Sequence, residues 1–243
     1  MPCSRFSLAK NIHIRYIYLL YKQPEKSGTS TFKKRIPLAM LAVLMMGASP
    51  SMADSITQKR DLPDFEKIRI KGAMDADIRV GESQSVAIKA DADDQGRIKT
   101  SVKDKTLIID MKGQFRSSRN RLATISVPNL DAIMINGSSD ATIKGIKTDR
   151  FSARISGSGD IIADGTCGSA DYVINGSGDI DMSALRCDQV KVKINGSGDA
   201  DVYARKDITV VINGSGDIEV SGKPLVKNVS ISGSGSLEMS EHP

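Results

Sequence analysis

Apolar and polar residues alternate along most of the second half of this 243-residue chain. Between residues 208 and 220, the positions of one parity are Ile208, Val210, Ile212, Gly214, Gly216, Ile218 and Val220. A period of two is typical of a β-strand, in which successive side chains point to opposite faces. The alternation therefore predicts strands with one buried face, and it places two glycines among the inward positions.

A five-residue segment rich in glycine and serine recurs six times within this alternation. The first glycines of successive copies are 20, 19, 20, 18 and 19 residues apart. A fixed period in this range is typical of stacked repeats, each of which is one supersecondary unit. Because an inward glycine leaves no side chain and tolerates dihedrals closed to other residues, we interpret each segment as a sharp corner. The copies lie at residues 136–140, 156–160, 175–179, 195–199, 213–217 and 232–236.

Strands that repeat every 19 residues or so, with short corners and no helices, cannot form a parallel sheet with helical crossovers. They predict an all-β fold, a single-stranded, right-handed parallel β-helix (β-solenoid) whose rungs stack about 4.8 Å apart. A β-sandwich is the alternative, since it also uses many short strands. A sandwich does not explain six copies of one corner at one spacing.

Residues 54–130 lack the repeat but contain strand-like segments such as IRIKG, SVAI and TLII, separated by polar turns. A solenoid needs an end cap that covers its first rung and blocks edge pairing. We therefore expect residues 54–130 to form a β-rich cap region or irregular N-terminal rungs, and residues 131–243 to form the repeat solenoid.

A secretory signal peptide is predicted at residues 33–53, where a basic cluster precedes an apolar run of thirteen residues, 36–48, and a small-residue site. Thirteen apolar residues are too few to span a bilayer, which needs about 20. We expect cleavage before Asp54 and no transmembrane segment in the mature chain. Residues 1–32 are interpreted as an over-extended start, with a long leader as the alternative.

The leader changes the charge balance, because residues 1–53 hold eight of the 34 basic residues and one of the 29 acidic ones. The mature chain has 26 basic and 28 acidic residues, a formal net charge of −2. A basic footprint for nucleic acid is lost with the leader, so no nucleic-acid partner is expected. Export predicts a periplasmic, secreted or cell-surface protein.

Histidine is nearly absent, which bears on catalysis. His13 lies in the leader and His242 is the penultimate residue. A Ser-His-Asp triad or a histidine-ligated zinc site would lack its histidine in a structured position, and a cysteine nucleophile would lack its usual partner. We expect no enzyme; a pair of carboxylates leaves a polysaccharide-active enzyme as an alternative.

Two cysteines, Cys167 and Cys187, remain in the mature chain and would meet an oxidising compartment. They are 20 residues apart, one repeat, so adjacent rungs would bring their Cα atoms within the range of about 4.4–6.8 Å that a disulfide permits. They follow their first glycines by 10 and 11 residues. This one-residue offset leaves open the alternative of two buried, unpaired thiols.

Polar side chains recur at outward positions beside each first glycine. Stacked rungs would place them in columns, where an asparagine or serine can hydrogen-bond to its neighbour above. We predict structural ladders that fix the register, with a ligand-binding strip as the alternative. The residues concerned are Asn175, Asn195 and Asn213 before the glycine, and Ser177, Ser197 and Ser215 after it.

Acidic residues form two further outward columns just past the corners. Like charges about 4.8 Å apart destabilise one another unless solvent, a cation or a basic partner relieves them. We interpret these columns as a solvated face that discourages lateral association, with binding of Ca²⁺ or of a cationic envelope surface as the alternative. The pairs are Asp179 with Asp181, Asp199 with Asp201, and Asp217 with Glu219.

The chain resembles a bacterial envelope family, the putative autotransporter adhesins with a head GIN domain. The segments that carry the resemblance are FEKIRIKG, VKDKTLIIDM and the serial INGSGDI and ISGSGDI corners, within residues 64–239. The resemblance implies a β-helical fold similar to that of pectin lyases, without their catalytic residues, and an adhesive role. We see no room for a translocator barrel after residue 239.

Three functions follow as hypotheses. The first is a non-catalytic exported envelope protein, an adhesion or binding module that presents a solenoid face to a glycan or protein of the envelope or cell surface. The second is a structural periplasmic protein without a ligand. The third is a polysaccharide-active enzyme, although the chain has no Trp with which to stack a sugar ring.

Overall fold

The computed structural model describes residues 55–113 and 121–240, and they form a parallel β-solenoid of about five turns. The predicted all-β solenoid is thus confirmed, while its right-handed coiling stays a prediction. The predicted leader and signal peptide, residues 1–53, lie outside the described residues.

Fifteen strands and one short helix make up the described chain. They are β1 (Ser55–Lys59), β2 (Lys67–Gly72), β3 (Asp75–Val80), β4 (Ser85–Asp91), α1 (Ala92–Gln95), β5 (Ile98–Lys103), β6 (Thr106–Met111), β7 (Leu122–Val127), β8 (Ala132–Gly137), β9 (Ala141–Gly157), β10 (Ile161–Gly176), β11 (Ile180–Gly196), β12 (Ala200–Gly214), β13 (Ile218–Ser221), β14 (Leu225–Gly233) and β15 (Leu237–Met239).

Each of the strands β9 to β12 is one turn of the solenoid, because it begins just after one corner and ends on the first glycine of the next. Neighbouring turns pair in parallel and in register, so that Ile174 lies beside Ile194, and Ile194 beside Ile212. Each inward column is therefore a stack of aliphatic side chains. These three isoleucines are fully buried, as the alternation predicts.

The corner glycines are required by the approach of one turn to the next. Gly196 has a φ of +146°, which L side chains rarely adopt, and a Cβ atom placed on it would overlap the carbonyl oxygen of Gly176. The second glycine of the same corner, Gly198, would likewise overlap the carbonyl oxygen of Gly178. The Gly-Ser-Gly segment is therefore a closely packed corner, and no larger residue fits there without moving the backbone.

The repeats differ in length by one or two residues, and irregularities between the corners absorb the difference. The register of β10 against β11 shifts between Ile162 and Gly165. That shift brings Cys167 directly beside Cys187, where the structure joins them in a disulfide with a Cα–Cα distance of 4.5 Å. The one-residue offset seen in the sequence is thus removed before the chain reaches the cysteines.

The segment before the repeats contains both parallel and antiparallel strands, and its role as a cap stays a prediction. Strands β2 and β3 stack in parallel on β8 and β9, while β6 and β7 stack in parallel on the other side of β2 and β3. Beyond them, β5 pairs antiparallel with β6, β4 pairs antiparallel with β7, and β1 pairs antiparallel with β4. The later pair β6–β7 therefore lies nearer the end of the stack than the earlier pair β2–β3.

A seventh corner joins β2 to β3 and was not recognised in the sequence. Gly72 stacks beneath Gly137, and Met74 occupies the inward position that glycine has in most later corners. The buried Ser139 of the next turn accepts a hydrogen bond from the backbone N–H of Met74, 2.9 Å from its Oγ. This contact explains why the first copy of the repeat has serine where the others have a second glycine.

We predict that Gly196→Ala lowers the free energy of unfolding by at least about 2 kcal/mol, because the added Cβ meets a neighbouring backbone at a strained φ. Urea unfolding of the mature chain measures this. Ser197→Ala is the control, since Ser197 is exposed in the same corner and should change stability by less than about 0.5 kcal/mol. Equal stability of the two variants would contradict the corner packing.

We predict that the mature protein has no free thiol when it is denatured without reductant. Reduction, or replacement of both cysteines by serine, should lower the free energy of unfolding by about 2–4 kcal/mol, because the bridge constrains a loop of one turn in the unfolded chain. Thiol titration and urea unfolding measure the two effects. Two free thiols would show that Cys167 and Cys187 are unpaired.

Candidate functional site

The corners place an asparagine column on the outer surface of the solenoid. The side-chain amide of Asn195 donates to Oδ1 of Asn175 at 2.8 Å, and that of Asn213 donates to Oδ1 of Asn195 at 2.9 Å. Asn195 therefore both donates and accepts within the column, whereas Asn175 accepts and Asn213 donates. These bonds link successive turns, and the role of the column as a ladder that fixes the register stays a prediction.

The serine column contributes through its backbone. The N–H of Ser197 donates to the carbonyl oxygen of Gly176 at 2.9 Å, and Ser177 and Ser215 make equivalent bonds to the turns before them. The hydroxyls of these three serines are exposed. Their register role therefore belongs to the backbone, and a small side chain at this position leaves the corner surface open.

The first acidic column is a hydrogen-bonded ladder. Oδ1 of Asp179 accepts the backbone N–H of Asp199 at 2.8 Å, and Oδ1 of Asp199 accepts that of Asp217 at 2.7 Å. The same hydrogen bond, from a backbone N–H to the aspartate of the turn before, recurs along the whole column. It begins at Asp75 and ends where Asp217 accepts the N–H of Ser236. Each carboxylate therefore has a donor from the next turn, which offsets part of the repulsion between like charges.

The second acidic column is more crowded. Asp181 accepts two hydrogen bonds from Ser183, through its backbone N–H at 3.1 Å and its hydroxyl at 2.6 Å. Partial burial, and then the carboxylates of Asp181 and Glu219 on the adjacent turns, raise the pKa of Asp201 above its ordinary value of 3.8. With the first column, these residues border an open groove of about 380 Å³.

The described residues contain no group of three or more His, Cys, Asp or Glu side chains placed to hold a metal ion. The two columns of carboxylates instead run as open strips along the axis. Binding of Ca²⁺ by Asp179, Asp181, Asp199, Asp201, Asp217 and Glu219 stays a prediction.

The opposite side of each turn, formed by the strand residues that precede a corner, has the opposite charge. We call this surface the basic face; its cations are Lys67, Arg69, Lys71, Arg150, Arg154, Lys191 and Lys193. Within the described part of the chain, Arg154, Lys191 and Lys193 form no ion pair. These charges are therefore available to a partner.

An open groove of about 1130 Å³ runs across the turns beside the basic face, from Lys67 of β2 to Lys227 of β14. Charges of both signs line it, since Arg150 and Lys191 alternate with Asp131, Asp149, Asp171 and Asp207. Hydroxyl and amide groups lie between them, on Thr148, Ser152, Ser169, Gln189 and Thr209. The groove offers hydrogen-bond donors and acceptors in turn along its length, which suits an extended polar ligand.

The basic face and the groove were missed in the sequence, although a signal for them exists. Asp171, Lys191 and Thr209 share one outward column, but they differ in chemistry from turn to turn. Unlike the asparagine and aspartate columns, such a column does not appear as a repeated motif. The outward parity of the strands that precede the corners could have shown the excess of lysine and arginine.

The family and the fold are both matched among known proteins. A protein-family model described as "Putative auto-transporter adhesin, head GIN domain" matches residues 64–224. No curated protein matches the chain. No helix among residues 55–113 and 121–240 is long and apolar enough to cross a membrane.

Several solved structures share the fold. A putative adhesin from Bacteroides fragilis is 23% identical with a TM-score of 0.64, covering 77% of this chain and 97% of that one. A putative adhesin from Parabacteroides distasonis is 22% identical with a TM-score of 0.50, covering 78% and 98%. A putative lipid binding protein from the same organism is 18% identical with a TM-score of 0.52, also covering 78% and 98%.

We predict that Asp199→Ala lowers stability at pH 7 whereas Asp201→Ala does not. Asp199→Ala removes the acceptor of the Asp217 N–H and should lower the free energy of unfolding by about 1 kcal/mol. Asp201→Ala removes a crowded carboxylate and should leave that energy unchanged or raise it. Urea unfolding measures both, and equal losses would contradict the distinction between the columns.

The pH dependence of Asp201→Asn checks the same crowding. Because the folded-state pKa of Asp201 lies above 3.8, the folded protein keeps a proton that the unfolded chain releases, so ionisation of Asp201 lowers stability. This loss is complete above the raised pKa and disappears as the pH falls below about 4. Asp201→Asn should therefore be more stable than wild type at pH 7 and equal to it near pH 3.

Proposed function

This chain belongs to the putative auto-transporter adhesin, head GIN domain family, and from that premise we propose that it is an exported, non-catalytic binding module of the cell envelope. The family description and the neighbours named adhesin or lipid binding protein support a binding role. The envelope partner would bind to the basic face and to the groove beside it.

The groove is the observation that carries this assignment. It crosses strands from β2 to β14, so a ligand can contact several turns at once, each about 4.8 Å from the next. An extended polymer matches such a surface better than a compact metabolite, which would need an enclosed, mostly apolar pocket. The ligand proposed is therefore a glycan chain, or an extended polar segment of a protein, at the envelope or cell surface.

The lining chemistry supports a hydroxyl-rich ligand. Carboxylates such as Asp171 and Asp207 accept hydrogen bonds from hydroxyl groups, while Lys191 and Arg150 donate to oxygen atoms. The aromatic residue of the groove, Phe151, is buried, so stacking on a sugar ring would contribute little. Affinity would then come from many hydrogen bonds spread over several turns, and each single contact would be weak.

We predict that Lys191→Glu weakens binding of the mature protein to its envelope partner at least about tenfold, because it reverses a charge at the centre of the groove. Binding is measured on arrays of envelope glycans and on whole bacterial cells. Lys144→Glu is the matched control, since Lys144 is exposed in β9 just after a corner and does not line the groove, so this change should leave binding unchanged.

The outcomes of this experiment separate the three hypotheses. Equal loss in the two variants would place the contact elsewhere, and no binding to any surface would favour a structural protein without a ligand. Release of shorter glycans from a bound polysaccharide would show an enzyme, and Asp201→Asn would then test whether the crowded carboxylate takes part.

A further inference from the structure

In the last turn of the solenoid, the inward side chains are exposed, whereas the preceding turns bury the side chains at the same positions. In register with the inward residues of β12, strand β14 places Val226 beside Ile208, Val229 beside Val210, and Ile231 beside Ile212. The three residues of β12 are fully buried, whereas Val226, Val229 and Ile231 are 48%, 40% and 41% exposed. Core columns of the solenoid therefore continue to its surface at this end.

The backbone at this end is also unpaired on one side. Among the described residues, β14 pairs only with β12, and β15 pairs only with β13. Soluble proteins usually protect such an edge with charged residues or a covering segment. The one charged residue within β14, Lys227, lies at a bulge and forms an ion pair with Asp207, with Nζ 3.3 Å from Oδ1, so it is held against the preceding turn.

The opposite end of the described stack is closed. Strands β5, β4 and β1 cover β6 and β7 in antiparallel pairs, and the inward residues of this layer, Ile98, Val86 and Ile88, are at most 3% exposed. The apolar columns are therefore covered at this end, which presents no buried-type surface to match the exposed aliphatic side chains of the last turn. Within a second copy, the matching apolar surface is the equivalent end.

At the corner of the last turn, serine replaces both the asparagine and the aspartate of the columns. Ser232 stands in the asparagine column, and Ser236 stands in the first acidic column, where the six preceding corners have aspartate. An aspartate at the end would bring two carboxylates together if two such ends met. Serine avoids adding a second carboxylate to the one that Glu238 of β15 already places at this end, because serine is neutral and can both donate and accept.

We propose that the exposed end of the solenoid binds a second copy of this chain. The two last turns meet about a two-fold axis, with β14 of one copy antiparallel to β14 of the other, and the aliphatic columns of both copies become continuous. Such an isologous contact closes on itself and yields a dimer. The inference does not depend on the ligand of the groove.

The size of the contact sets its strength. Each copy contributes residues 225–239, fewer than the roughly 20–30 residues per partner of a standard interface. The dimer should therefore be reversible and concentration-dependent rather than permanent. Burial of four or five aliphatic side chains per copy supplies its main driving force.

Sedimentation equilibrium of the mature protein over a range of concentrations tests the proposal. Wild type should pass from monomer to dimer and no further. Ile231→Lys places a charge in the apolar contact and should raise the dimer dissociation constant at least about tenfold. Ser230→Lys is the matched control, since it adds the same charge on the adjacent residue of β14, which faces away from the core columns; its dissociation constant should stay within about twofold of wild type.

Thermal unfolding of both variants checks that the solenoid itself is intact, and hydrogen exchange of wild type gives a measurement that needs no variant. In the dimer, the outward backbone amides of β14 should exchange more slowly at high than at low protein concentration, while those of β12 should not change. A wild type that stays monomeric, a dimer insensitive to Ile231→Lys, or open-ended assembly would each overturn the proposal.

Discussion

The structure depends on the approach of one backbone turn to the next at the glycine corners. At these points the carbonyl oxygen of one glycine occupies the space that a side chain of the next would need, and the backbone takes a positive φ. A residue with a Cβ atom cannot meet both conditions. Because the corners of successive turns lie directly above one another, the strands on either side of them are also brought into register.

Stacking in register repeats one chemistry along the inward columns and along the outward columns beside the corners, and the consequences differ with that chemistry. Isoleucine and valine gain from it, since identical aliphatic side chains pack well in successive layers. Asparagine gains as well, because its amide is both donor and acceptor. Aspartate would lose, but in the first column each carboxylate accepts a backbone N–H from the next turn. For Asp201 the described residues provide no such donor, and partial burial, followed by the neighbouring carboxylates, raises its pKa above the ordinary value.

The same geometry separates the surfaces of the molecule. The strand segments after each corner carry the acidic columns, and the segments before each corner carry the basic face and its groove. One end of the stack is closed by antiparallel strands, whereas the other presents apolar residues and an unpaired edge. The groove crosses the strands on the side of the basic face, whereas the exposed apolar residues of β14 lie at the end of the stack, and the two surfaces meet at Lys227.

The sequence by itself determined the solenoid, its period and its corners, because each of these is written in local patterns of alternation and glycine spacing. The sequence also predicted the column of asparagines, since identical residues recur at the spacing of the repeat. Only the tertiary structure decided the order of the N-terminal strands, where β6 and β7 lie outside β2 and β3, because pairing between residues about 40 apart leaves no local pattern. Only the tertiary structure decided three further features as well. They are the corner at Gly72, the register shift that aligns Cys167 with Cys187, and the groove. Each of them depends on which turns meet in space, and that is fixed by the packing of the whole stack.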